Sequence, residues 1–404
     1  MRLQRLYSTP CVRSAAWREC TPFHQIDLFT KMKIRQIVVG EVQVPLIVPF
    51  KTALRTVDHV HSLIVRVETD SGLVGFGEAA ATAVITGDLI GSMRAGMAVL
   101  APQLVGRDLA AFNANLTTIS NGLVHHTSLK AALEIALYDL RAQQFGVPLY
   151  QLLGGMAGAV SRPQVKTDVT ISLNAAPTMV ADAMRAVESG FDALKIKLGA
   201  GNAADDINAV LAINQAVGKR ASLRLDANQA WSPKDAVRII QAIEQAGVTI
   251  ELVEQPVKAA DIAGLKYVTD RTLSPILADE AVFGTTDAIH ILDSQSADLL
   301  NIKLMKTAGL SQATEIAAIA RRFNRACMIG CMLESHVSVT AAAHFALAQA
   351  DVVRYVDLDG PQLCRESVVH GGMRMDGAWI TLGDAPGLGI REVRSMQGIQ
   401  AYGA

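Results

Sequence analysis

Five short apolar runs between residues 193 and 303 each end in a charge. "ALKIK" ends at Lys197, "SLRLD" at Asp226, "IELVE" at Glu254, "PILAD" at Asp279 and "DLLNIK" at Lys303. The order is base, acid, acid, acid, base. Three carboxylates from neighbouring strands repel one another unless a cation lies among them. Oxygen donors with no His or Cys select Mg2+ or Mn2+ rather than zinc, and one ion per subunit is expected. "ALKIK" holds a second lysine, Lys195. Strand alternation puts it on the face of Lys197, roughly 6–7 Å away. Each ammonium, with the metal, is expected to disfavour the other's proton. A lysine so tuned could act as a general base near neutral pH. A metal-bound carboxylate substrate would then lie between Lys197 and Lys303. One strand-end charge alone is more often merely solvated, but five in register argue for a site.

These positions need a scaffold that brings strand ends together. After about residue 160 the sequence alternates strand and helix. Apolar runs recur as "TDVTIS", "ALKIK", "SLRLD", "IELVE", "PILAD", "DLLNIK", "ACMIG" and "VRYVDLD". Amphipathic stretches such as "PKDAVRIIQAIEQAG" separate them. Eight such units predict an α/β fold, a (β/α)8 barrel with its active site at the C-terminal mouth. A doubly wound sheet is the alternative, but no Gly-rich phosphate fingerprint follows the first strand.

The region before the barrel has a different pattern. "KIRQIVVGEVQVPL" alternates like a strand, and "HSLIVRVETDSGLVGFGEA" reads as two strands around a turn at Asp70-Ser71-Gly72. "SLKAALEIALYDLRAQQFG" then reads as a helix stopped by Gly146. Strands followed by helices form an α+β unit. Four segments are expected: an N-terminal extension at 1–31, a capping domain at 32–155, the barrel at 156–360, and a C-terminal segment at 361–404 packing back on barrel and cap. The extension is arginine-containing and acid-poor. It reads either as an organelle transit peptide or as the product of an upstream start, with the domain beginning near Met32.

Lys+Arg number 37 and Asp+Glu 38, a net charge of −1, so no basic excess points to nucleic acid or an anionic membrane surface. No apolar run reaches the roughly 18–20 residues of a membrane span. The five cysteines, Cys11, Cys20, Cys327, Cys331 and Cys364, fit no zinc template. A reducing cytoplasm is the simplest reading.

From about Met32 to the C-terminus the chain resembles the enolase superfamily, in its muconate lactonizing subgroup. The resemblance is carried by Lys195–Lys197, by Asp226 in "LRLDANQAW", by Glu254 in "LVEQP", by Asp279 in "ILADE" and by Lys303 in "NIKLMK". It implies an α+β cap over the barrel mouth and removal of a proton next to a Mg2+-bound carboxylate. Within the subgroup, "YVDLDGP" is similar to the dipeptide epimerases. There Asp357 and Asp359, two apart and so on one face, would take the substrate ammonium. Arg55 in "PFKTALRT" and the loop "ATAVITGD" resemble cap loops of the L-Ala-D/L-Glu epimerases, which implies that Arg55 meets a glutamate carboxylate. Met332 and Leu333 in "GCMLESHVSVTAAAHFA" are expected to shape the pocket, and Asn228 and Gln255 to support the metal ligands.

The expectation is therefore Mg2+-dependent epimerisation of a dipeptide, most simply L-Ala-D/L-Glu. Lys197 would handle the (S) proton and Lys303 the (R) proton. Lys195 would support the carboxylate and depress the pKa of Lys197. An N-acylamino-acid racemase or a cycloisomerase on the same scaffold is the alternative, and a non-catalytic binding protein is a third. His336 and His344 are read as helix residues, Lys306 as lying outside the mouth, and Glu280 as pointing away. No nucleic-acid or membrane partner is expected, and a homo-oligomer is.

Overall fold

The computed structural model describes residues 31–155 and 163–403. Apart from Lys31, the N-terminal extension expected at 1–31 lies outside the described residues, with Cys11 and Cys20.

The chain first builds an antiparallel sheet from β1 (Ile34–Lys51), β2 (Thr56–Thr69) and β3 (Val74–Ala80). The C-terminal strand Gln397–Gly403 pairs with the free edge of β1, so the tail completes the sheet. Gly72, with φ +87°, supplies the left-handed residue of the β2–β3 turn. Three helices follow: α1 (Ile90–Leu104), α2 (Phe112–Asn121) and α3 (Thr127–Gln144). Their apolar faces and one face of the sheet form a buried cluster that includes Ile37, Val65, Met97, Leu133 and Leu137. The helix α3 lies directly on β3. A Cβ on Gly77 would stand 1.8 Å from the Ala132 carbonyl oxygen, so only glycine permits this approach.

A short strand β4 (Gln164–Lys166) leads into eight parallel strands. They are β5 (Val169–Ile171), β6 (Ala193–Lys197), β7 (Ser222–Asp226), β8 (Ile250–Glu254), β9 (Ile276–Ala278), β10 (Leu299–Lys303), β11 (Cys327–Gly330) and β12 (Val353–Asp357). They pair in chain order. The first and last approach where Asp168 N–H donates to the Val356 carbonyl at 3.1 Å. The eight runs read as strands in the sequence are these eight strands, and the expected barrel under an α+β cap is the fold. Leu252, Leu277, Leu299 and Met328, one from each of β8 to β11, form a buried apolar plug inside.

Candidate active site

The C-terminal ends of β6 to β10 place Lys197, Asp226, Glu254, Asp279 and Lys303 around one opening. All five are buried beneath the cap, none more than 7 % exposed. Register fixes the ring: Lys197 lies opposite Asp226, and Asp226 opposite Glu254. Lys197 Nζ donates to Asp226 Oδ2 at 2.5 Å, and Lys303 Nζ to Asp279 Oδ2 at 2.7 Å. Since β6 and β10 are four places apart in a ring of eight, the two lysines face each other across the mouth.

The acids are not gathered into a ready cage. Among the described residues no three His, Cys, Asp or Glu side chains converge tightly enough to hold an ion by themselves. Lysines stand between the carboxylates as their nearest counter-charges. The donor set nonetheless fits a hard divalent cation. Glu254 Oε2 is buried with no hydrogen-bond partner, and burial, with Asp226 next, pushes its carboxyl up to about 7. An ion among these oxygens would relieve both penalties.

The lysines depart from expectation. Burial works to lower Lys195, but Asp357, then Glu254, Asp168 and Asp226, outweigh it and hold it well above the ordinary lysine range. Lys303 is likewise held high by Asp279 and Glu254 against its burial. For Lys195 the carboxylates outweigh the depression expected from its neighbouring ammonium. Lys195 pairs with Asp357, and its Nζ lies 3.5 Å from Glu254 Oε2. The Asp-x-Asp pair divides its work accordingly. Asp359 Oδ2 accepts from Thr170 N–H at 2.7 Å, and burial with Asp357 raises its pKa. Both aspartates line the mouth pocket.

Met332 and Leu333 also line this pocket, with Phe50 from the end of β1 and Leu54, Arg55, Val84 and Ile85 from the cap loops. Arg55 sits in a tight turn whose Thr52 Oγ1 accepts its N–H at 3.3 Å. Burial alone lowers its pKa; no acid offsets it. A half-buried guanidinium with no anionic partner is a site for an anion.

Asn228 and Gln255 take left-handed backbone, φ +43° and +33°, immediately past the acids. Gln255 Oε1 accepts from Asp279 N–H at 2.9 Å and Ala281 N–H at 3.1 Å, fixing the third acid's backbone. Asn228 N–H donates to Asp226 Oδ1 at 2.8 Å.

Two residues assigned no part belong to the site. Lys306 is fully buried, and its Nζ donates to Asp279 Oδ1 at 2.6 Å and to the Asn301 carbonyl at 2.9 Å. It was expected to lie outside the mouth, one turn past Lys303. Instead Lys306 N–H donates to the Lys303 carbonyl in a turn that folds the side chain back. Glu280 lines the pocket, because β9 stops at Ala278 and alternation no longer governs its direction. Burial, then Asp279, pushes its carboxyl up to about 8.

Sequence reasoning also missed Arg224, which alternation would have placed on the inward face with Asp226. Its guanidinium donates to Asp168 Oδ2 at 2.8 Å and Glu251 Oε2 at 2.6 Å. Strand register sets it beside Lys195 on the neighbouring strand, where it supplies a fixed cation. His344 is structural: its Nδ1 accepts from Tyr150 N–H at 3.1 Å and its ring stacks on Tyr150.

Fold and site together define a cap-and-barrel protein of the enolase type, with opposed lysines about a carboxylate cluster. The chain belongs to the mandelate racemase/muconate lactonizing enzyme family. That family's N-terminal domain model matches residues 34–154, and the enolase C-terminal domain-like model matches 178–394. An L-Ala-D/L-Glu epimerase of Clostridium acetobutylicum is 46 % identical over 365 residues, covering 90 % of this chain and all of that one. A substrate-liganded L-Ala-D/L-Glu epimerase of Bacillus subtilis superposes with a TM-score of 0.87 at 47 % identity, covering 90 % of this chain and 100 % of that one. A dipeptide epimerase of Enterococcus faecalis, complexed with Mg and L-Leu-L-Tyr, has a TM-score of 0.85 at 40 % identity, covering 89 % and 100 %. No helix among the described residues is long and apolar enough to cross a membrane.

Proposed function

We propose that this protein epimerises dipeptides at the α-carbon of the C-terminal residue, with L-Ala-D/L-Glu as the favoured substrate. The observation that supports it most is the placement of Lys197 and Lys303 on opposite sides of the mouth. Epimerisation removes a proton from one face and returns one to the other. A base on each face does both without moving the substrate.

Mg2+ held by Asp226, Glu254 and Asp279 would bind the substrate carboxylate and acidify the neighbouring α C–H. Lys197 Nζ takes the proton from the (S) centre. Lys303 Nζ delivers a proton to the opposite face, and the roles exchange in reverse. Lys195 stays charged beside Asp357 and attracts the carboxylate. Asp357 and Asp359 receive the substrate ammonium, Arg55 receives the glutamate side chain, and Met332 and Leu333 wall the pocket. A cytoplasmic location and a homo-oligomer belong to the same proposal.

An N-acylamino-acid racemase would present a neutral amide to Asp357 and Asp359, leaving Lys195 on Asp357 as the nearest cation to that pair of acids. Proton NMR of a dipeptide library in D2O tests the reading. Loss of the α-proton signal of the C-terminal residue is expected first for L-Ala-L-Glu. Exchange confined to N-acylated amino acids would overturn the dipeptide assignment.

A further inference from the structure

The loop after β11 carries Met332 and Leu333 into the pocket, and it is held from behind by two carboxyl groups. Glu78 comes from β3 in the cap and is fully buried; Glu334 comes from the loop and is 1 % exposed. Glu78 Oε1 accepts from Ser335 N–H at 2.7 Å. Its Oε2 accepts from Ser335 Oγ at 2.8 Å, Ser338 N–H at 3.1 Å and Ser338 Oγ at 3.1 Å. Glu334 Oε1 accepts from Met332 N–H at 2.6 Å, and its Oε2 is in short contact with Ser338 Oγ.

Counting protons settles the charge of this pair. The Ser338 hydroxyl carries one hydrogen, yet it meets a carboxyl oxygen on each side. With both acids ionised, one oxygen–oxygen contact would hold no hydrogen. Glu78 has three further donors and faces the N-terminal turn of the helix His336–Ala348, so its oxygens meet donors at every contact. Glu334 has only one backbone donor besides the serine. The proton therefore resides on Glu334, which donates to Ser338 Oγ, which donates to Glu78.

We propose that Glu334 is a positioning residue for the substrate pocket: through one proton relayed by Ser338 to Glu78 it ties the Met332–Leu333 loop to the cap. Burial, and after it Glu78, pushes the Glu334 carboxyl up to about 7. The other titratable groups facing the pair are Lys303 from β10, which opposes that rise, Cys331 in the loop itself, and His336 and Cys364, which face Glu78. Loss of the proton leaves two buried carboxylates against one hydroxyl, and in this proposal the loop between them shifts. The displacement reaches the substrate at two points. Met332 and Leu333 line the pocket, and Gly360, next to Asp359, packs so closely that a Cβ there would lie 3.1 Å from the Glu334 carbonyl oxygen.

The kinetic part rests on the dipeptide reading; the structural part does not. Amide hydrogen exchange at Met332 and Ser335, corrected for intrinsic base catalysis, is to be measured from about pH 4.5 to about pH 8.5 with no substrate. In the parent protein, protection should be full near the bottom of this range, fall by up to about tenfold per pH unit as the pH rises towards about 7, and level off above it. Glu334→Gln, a neutral isostere whose amide can donate to Ser338, should remain protected throughout. Across the same range KM for L-Ala-L-Glu should rise in the parent and stay flat in Glu334→Gln, with kcat moving in parallel in both. Ser338→Ala should be unprotected even at pH 6. Equal pH dependence in the parent and Glu334→Gln, or none in the parent, overturns the proposal. If no dipeptide is turned over but the exchange pattern holds, the tether stands and the dipeptide reading fails.

Discussion

The barrel mouth and the seam between cap and barrel both bury carboxylates, and they satisfy them in different ways. In the mouth the partners are lysines from other strands, and Glu254 Oε2 has no hydrogen bond, with Lys195 Nζ 3.5 Å away. In the seam each acid accepts from at least one backbone N–H group far away in sequence. Glu134 of α3 accepts from Ser311 N–H at 2.6 Å, beside the start of the helix Leu310–Arg322. Asp139 accepts from Phe76 N–H at 3.0 Å and Leu388 N–H at 2.8 Å, joining β3 and the C-terminal segment to α3. Backbone donors are fixed when the chain folds, so these acids serve stability. The mouth's charges are only partly met within the protein, so they serve a ligand. Removing an acid should therefore cost chemistry in the mouth and stability in the seam.

The largest effect is expected for Glu254→Gln. Turnover should fall on the order of 10³-fold or more, because one ligand charge is gone. Melting should be unchanged or raised, because a strained buried carboxylate is gone as well. Calorimetry and a D2O exchange assay check both halves. Persistence of activity in this variant or after exhaustive chelation would remove the metal from the account.

N-acetylating L-Ala-L-Glu removes the ammonium that Asp357 and Asp359 are proposed to meet. The loss in kcat/KM should correspond to about 2–5 kcal/mol. Preference for the acetylated compound would favour the acylamino-acid racemase.

In the seam, burial raises the Glu134 carboxyl from 4.5 to about 7, despite its bond to Ser311. The folded protein then holds a proton that the unfolded chain releases above pH 4.5. The Glu134 contribution is full below that value and is lost as pH rises through about 7. The difference of about 2.5 units is worth on the order of 3 kcal/mol. Urea unfolding of Glu134→Gln should show a shallower fall in stability over this window than the parent, and parallel curves would contradict the assignment.

The smallest effect is expected for Arg55→Ala, about 2 kcal/mol in kcat/KM for glutamate-terminated dipeptides and little for uncharged ones. Equal loss on all dipeptides would mean that Arg55 closes the cap rather than reading a side chain.

The mouth was legible in the sequence because each of its charges ends a short apolar strand, and strand alternation fixes which way it points. The same rule could have found Arg224. It failed where strands stop or chain direction changes: Glu280 lies beyond the end of β9, and Lys306 returns through a turn. The seam was not legible at all. Glu78, Glu134 and Asp139 stand in ordinary strand and helix patterns, and their partners are backbone groups more than 60 residues away in sequence. Nothing local marks an acid that will meet such a donor.

The central claim is that two lysines serve opposite faces of one carbon. The most direct measurement is α-proton exchange in D2O, with L-Ala-L-Glu and L-Ala-D-Glu offered separately to the parent, Lys197→Ala and Lys303→Ala. Lys197→Ala should lose exchange of the L-terminal epimer and retain that of the D-terminal one, and Lys303→Ala should show the converse. Equal loss of both exchanges in both variants, with folding and Mg2+ binding intact, would contradict the two-base account.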